Sequence, residues 1–131
     1  MAIEIPTKSA KMIQCPPLPN GAITVSLSSN QPVDLYYVDS INGEEFQNTG
    51  NFKNPTSIHY KRHKVTHLND TVSSFPDTSY IVVVNLETSM AVCNITISQY
   101  QQTIQPYLSA SGYPSASGLT GASGFGISAT N

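Results

Sequence analysis

The run Tyr80-Ile81-Val82-Val83-Val84-Asn85, followed after a short link by Ala91-Val92-Cys93-Asn94-Ile95-Thr96-Ile97, decides the fold of this chain. Residues 80–84 are β-formers with no polar face, the signature of a central strand covered on both sides. The second run alternates, putting Ala91, Cys93, Ile95 and Ile97 on one face, as a strand with one buried side requires. The short link between the two predicts an antiparallel hairpin. Toward the N-terminus, Ile23, Val25 and Leu27 alternate with Thr24, Ser26 and Ser28 behind the turn signal Asn20-Gly21. Val33, Leu35 and Tyr37 resume the alternation after Asn30-Gln31-Pro32, and that strand should end near Asp39-Ser40, ahead of the turn-like Asn42-Gly43. No stretch sustains a helical period. The expected fold is all-β: a small antiparallel β-sandwich over residues 21–105, with Leu35, Val82, Val83, Val84, Ile95 and Ile97 in its core.

The flanks differ in composition. Residues 1–20 hold four prolines, Pro6, Pro16, Pro17 and Pro19. Proline removes a backbone donor and fixes φ, so this segment is expected to run as an extended, polyproline-like arm. Residues 106–131 form a second expected arm, of a different kind. Ala110-Ser111-Gly112, Ala116-Ser117-Gly118 and Ala122-Ser123-Gly124 recur every six residues, and each triplet precedes a large apolar residue, Tyr113, Leu119 or Phe125. A flexible linker has no reason to space anchors in this way. Six is a multiple of both two and three, so the anchors share one side of a β-strand or of a polyproline helix. Beyond Glu87 the chain carries neither charge nor histidine. Tyr107, Leu108, Tyr113, Leu119, Phe125 and Ile127 are therefore the candidate partner-binding residues, expected to lie on a neighbouring subunit.

Composition narrows the function classes. The 131 residues carry 6 Lys+Arg against 8 Asp+Glu, and charged residues make up 11% of the chain, less than half the usual share of about 25%. Such a chain solvates itself with hydroxyls and amides or covers its surface with partners. A net charge of -2 argues against nucleic-acid binding, which rests on cationic contacts to phosphate. No apolar run approaches the roughly 20 residues of a membrane span. The opening Met1-Ala2-Ile3-Glu4-Ile5-Pro6 lacks the basic and then apolar order of a secretory signal, which implies cytoplasmic synthesis and is compatible with a place in a virion.

Three constellations invite a chemical reading. His59, His63 and His67 recur every four residues in the basic stretch His59-Tyr60-Lys61-Arg62-His63-Lys64. On a helix they would stack as metal ligands, but the neighbouring Tyr60, Val65 and Thr66 favour a strand. There the outer two stand about 26 Å apart at about 3.3 Å per residue, too far for one ion. A solvated basic strand face is the expectation, with an anionic contact as the sharper alternative. Asp34, Asp39, Glu44 and Glu45 resemble a hydrolase pair only in sequence, because Asp34 and Asp39 fall on opposite strand faces. Cys93 sits at an inward position and Cys15 precedes two prolines; whether they form a disulfide is left open, as is glycosylation of Asn69 or Asn94 in their Asn-x-Thr motifs. No phosphate loop, nucleophile elbow or cofactor fingerprint occurs, so neither catalysis nor a cofactor is expected.

The stretch Pro32–Ser40, then Phe46, Tyr80–Asn85 and Ala91–Ile97, resembles the strand order of GOLD-like β-sandwich domains over residues 22–98. The resemblance implies a non-catalytic interaction module and brings no specific functional motif. Two functions follow as expectations. One is a non-enzymatic structural subunit of a larger assembly, a virion or phage shell component or a filament, joined through its terminal arms. The other is a GOLD-like or carbohydrate-recognition module that uses Tyr36 and Tyr60 as exposed platforms.

Overall fold

The computed structural model describes residues 2–101. Six strands, β1 (Ala2–Ile5), β2 (Ser9–Cys15), β3 (Gly21–Asp39), β4 (Tyr60–Ser73), β5 (Ser79–Asn85) and β6 (Ala91–Gln101), form one antiparallel sheet in the order β1-β6-β3-β5-β2, and β4 also pairs with β3. Helix α1 (Ser40–Thr49) and a 3-10 turn at Pro55–Ser57 connect β3 to β4.

The 19-residue β3 is the spine. Along one edge it pairs with β4; along the other, β6 takes Gly21–Ser29 and β5 takes Asp34–Asp39. β5 and β6 therefore lie end to end and do not form the expected hairpin. β1 and β2 follow the same plan one place further out, pairing with β6 and β5 respectively. The result is four long ribbons, each interrupted at the same level. The interruptions fall at Pro6–Lys8, at Leu86–Met90, in β3 between Ser28 and Val33, and in β4 at Lys64, whose φ is 54°.

The ribbons bend sharply at that level. In a straight strand Tyr60 and Asp70 would stand about 33 Å apart, at about 3.3 Å per residue, yet the Tyr60 hydroxyl donates to Asp70 Oδ2 at 2.7 Å. β4 has doubled over, and so has the sheet. The expected two-sheet sandwich is thus a single sheet curled into a half-barrel, whose two halves face each other across a shared core.

That core gathers Ile5, Ile13, Cys15, Ile23, Val25, Leu27, Leu35, Ile81, Val83, Cys93 and Ile95. Alternation sends Val82 to the opposite face of β5, where it joins Val38 and Ile58 beneath Phe46, Phe52, Tyr36 and Tyr80. Each fully buried aliphatic side chain contributes about 1.5–3 kcal/mol. The doubly covered central strand is therefore β5, as its sequence indicates. Leu35, Val82, Val83 and Ile95 are fully buried; Val84 and Ile97 pack at the margins of the two clusters and are half-buried.

Two segments depart from expectation. Residues 2–15, read as part of a proline-rich arm, form β1 and β2 and bury Ile5, Ile13 and Cys15. The prolines sit where strands stop: Pro6 at the bend, the others in the link to β3, where a missing donor costs no ladder hydrogen bond. Residues 40–49, where a turn was expected, form α1. Asp39 caps it by accepting from the Asn42 amide at 2.9 Å, and Gly50, at φ 81°, closes it by donating its N–H to Phe46 O. Gly43 lies so close to the Tyr80 ring that a Cβ there would collide with it, and the absence of a side chain lets the helix settle on β5.

Candidate functional site

Side chains, not the backbone ladder, satisfy the bend, and the basic stretch belongs to it. Asp34 on β3 accepts from the Lys64 amide at 2.9 Å, steadying the left-handed residue, and its other oxygen lies 3.4 Å from His63 Nδ1. Lys64 Nζ reaches Glu87 at 3.2 Å. Arg62 stands 3.2 Å from Asp70 and lies over the Tyr60 ring at 4.7 Å. Arg62, His63 and Lys64 of this stretch thus meet anions within the chain, Asp70, Asp34 and Glu87, and these half-exposed pairs add little stability individually. Asn30 Oδ1 accepts from the Val92 amide at 2.7 Å, holding β6 against the bend of β3.

Asn85 is the central pin. Its side-chain amide donates to Ile5 O at 2.9 Å and to Ser89 O at 2.8 Å, while its Oδ1 accepts from the Glu87 amide at 2.9 Å. It is fully buried and ties the β1–β2 and β5–β6 interruptions together. Thr7 Oγ1 donates to Glu87 O and Lys8 Nζ to Leu86 O across the same junction.

The other candidates are dispersed. His59, His63 and His67 are exposed, and from Tyr60 onward the stretch is strand, as expected. Among the described residues no group of three His, Cys, Asp or Glu side chains gathers that could hold a metal ion. Asp39 caps α1, Asp34 serves the bend, and Glu44 and Glu45 lie on the helix. Cys15 and Cys93 are both free and buried. Tyr60 cannot serve as an exposed platform: it is buried in the main core with its hydroxyl on Asp70. Tyr36 packs edge-on against Phe52 and His63, with centroids at 5.0 and 5.8 Å. Tyr107, Leu108, Tyr113, Leu119, Phe125 and Ile127 lie outside the described residues.

Two surface features escape a reading by residue type. Leu86, Met90 and Val92, 41–49% exposed, stand close together in sequence at the β5–β6 junction. The second is the outer edge of β4, which among the described residues pairs with β3 alone. Only ladder assignments reveal such an edge, because a paired strand and an edge strand share the same alternation.

The buried hydroxyls and thiol predict how stability depends on pH. Burial pushes the Cys15 thiol from 9.0 up to about 12, partly offset by a hydrogen bond with Ser79. It also pushes the Tyr37 hydroxyl from 10.0 up to about 12, against hydrogen bonds from Ser79 and the Phe75 amide. Tyr60 is raised by burial and then by the Asp70 carboxylate. In each case the folded chain holds its proton longer than the unfolded chain, so stability is fully present below about pH 9 and falls as pH rises toward 12. The urea midpoint should therefore decline steadily above pH 9, and Cys15→Ala should flatten the first part of that decline. A midpoint independent of pH from 8 to 11 would show that these groups are not buried as described.

Comparison with known proteins returns no matching family model and no matching curated sequence.

Proposed function

We propose that the chain is a non-enzymatic structural subunit of a larger assembly, of the kind found in virion or phage shells or in filaments, joined to its neighbours through residues 106–131. The observation that carries this reading is the strict six-residue recurrence of Ala-Ser-Gly before Tyr113, Leu119 and Phe125, in a region without charge. Small residues let a backbone approach a partner closely, and the anchors supply apolar burial on one side. Two features of the folded part favour it: a long sheet edge paired on one side, and apolar side chains exposed at the β5–β6 junction.

Three anchors contribute about 1.5–3 kcal/mol each when buried, against about 1–2 kcal/mol per ordered backbone residue. Main-chain hydrogen bonds to a partner, burial of Leu108 and Ile127, and repetition over many subunits must supply the rest. The test is the solution mass of the intact chain against Y113K/L119K/F125K, which puts charge on all three anchors. The variant should remain a folded monomer at concentrations where the native chain assembles. Equal assembly by both would overturn the docking role of the segment.

A further inference from the structure

We propose that the outer face of the β4–β3–β6 part of the sheet binds a neutral glycan chain, with the Tyr100 ring as its stacking platform. The face lies outside residues 106–131 and adds a ligand to the assembly role proposed above. Strand register defines it. The outward positions of β3 from Ala22 to Ser28 pair with those of β4 from His67 to Ser73 on one side, and with those of β6 from Asn94 to Tyr100 on the other. These positions form four rows of three, about 10 Å by 20 Å at the usual strand spacing and rise. Nine of the twelve are Ser, Thr or Asn, and none is Asp, Glu, Lys or Arg. All eight on β4 and β6 are exposed, so nothing among the described residues covers them.

Hydrogen bonds already hold the central side chains in place. Thr24 Oγ1 stands 2.7 Å from Thr71 Oγ1 and 2.6 Å from the Tyr100 hydroxyl, and the Ser26 hydroxyl donates to Asn69 Oδ1 at 3.1 Å. Tyr100 pairs with Ala22, whereas Thr24 lies one row further along β3. A ring standing upright on the sheet would carry its hydroxyl beyond the reach of a threonine side chain, so this bond lays the ring along the sheet. Ala22 agrees with that placement: it points outward beside Tyr100 and is nevertheless 6% exposed. Tyr100 itself is 41% exposed, its second ring face turned to solvent.

The chemistry of the face selects its occupant. Serine, threonine and asparagine side chains both donate and accept hydrogen bonds, whereas carboxylates only accept and ammonium or guanidinium groups only donate. Sugar hydroxyls also do both, and the C–H face of a pyranose ring is a flat apolar surface that an aromatic ring can stack on. Nucleic acid would need cations that this face lacks. Protein interfaces are depleted in serine, and a membrane surface calls for an apolar or basic face. A fixed aromatic ring beside pre-oriented hydroxyls and an amide also loses little freedom when the ligand arrives.

The full-length chain on an array of immobilised neutral and anionic oligosaccharides tests the inference, with amide chemical shifts recorded for the glycan bound most tightly. Neutral glycans should bind, and the shifted amides should lie in 24–28, 69–71 and 96–100. Y100A should weaken binding about tenfold, the loss of one stacking contact. Y100F, which keeps the ring and removes its pin, should lose less. T96K puts a charge at an exposed position opposite Ser26, and should weaken binding while melting like the native chain. L86S, exposed at the β5–β6 junction, should bind normally. Binding of no neutral glycan, or of anionic glycans alone, overturns the inference. Native affinity in both Y100A and T96K places the ligand elsewhere and overturns it too. Self-association that T96K abolishes without any glycan assigns the face to contact between copies instead. Y113K/L119K/F125K should bind as the native chain does; loss of binding there places the glycan on residues 106–131 and overturns the inference. A native chain that binds glycan but never assembles overturns the proposed function alone.

Discussion

Val82→Asp should leave a chain that does not fold. Val82 is fully buried at the middle of β5, paired with Met12 and Tyr36 and packed with Val38 and Ile58 under the aromatic side chains of α1 and the following loop. A carboxylate there meets apolar neighbours. Burying an unpaired charge costs several kcal/mol even after relaxation, a large share of the 5–15 kcal/mol by which domains of this size are stable. Protonation would lessen the charge penalty at neutral pH but would still leave polar oxygens among methyl groups. Loss of the cooperative thermal transition in circular dichroism is the expected outcome. A V82D chain melting cooperatively within a few degrees of the native one would show that β5 is not the doubly covered strand.

Asn85→Leu should cost about 3–5 kcal/mol although it adds apolar volume to a buried site, because it strips four main-chain groups of a partner at about 1–3 kcal/mol each, less whatever relaxation recovers. Ile5 O, Ser89 O, the Glu87 amide and, at the longer 3.4 Å, Pro6 O are those groups. Asn85→Asp is the more informative companion. It keeps an acceptor for Glu87 but loses the donors and sets an anion against carbonyl oxygens, so it should be at least as damaging at neutral pH and partly relieved in acid. Urea unfolding of both variants checks this. A loss below about 1 kcal/mol for both would mean that the bend holds without its pin.

These residues also show what the amino-acid pattern discloses and what it conceals. Strand identity was legible because period-two alternation reports which side chains face a core: Ile23, Val25, Leu27, Leu35, Cys93 and Ile95 face inward as their spacing requires. The curl was not, since alternation continues unchanged through a bend, and the groups that stabilise it, Asn30, Asp34 and Asn85, are single polar residues with no period. Helix α1 was concealed by Asn42-Gly43, a turn signal on its own. Its stop and start are ordinary, Asp39 at one end and Gly50 at the other, but it carries no apolar stripe, and it is held by Gly43 against Tyr80 and by Asn42 Oδ1 accepting from the Asn54 amide at 2.8 Å. In the first twenty residues the prolines mark only where strands stop, whereas Ile5, Ile13 and Cys15 between them carry the strands into the core. Of the candidate partner-binding residues, the sequence pattern alone supplies the argument.

Whether the chain assembles through residues 106–131 is decided by sedimentation velocity of the intact chain over a rising concentration series. The chain's own mass is 14.1 kDa. Discrete species at multiples of that mass should appear as concentration rises, and should be absent from Y113K/L119K/F125K at the same concentrations. A single 14.1 kDa species for the native chain throughout the series would contradict such assembly.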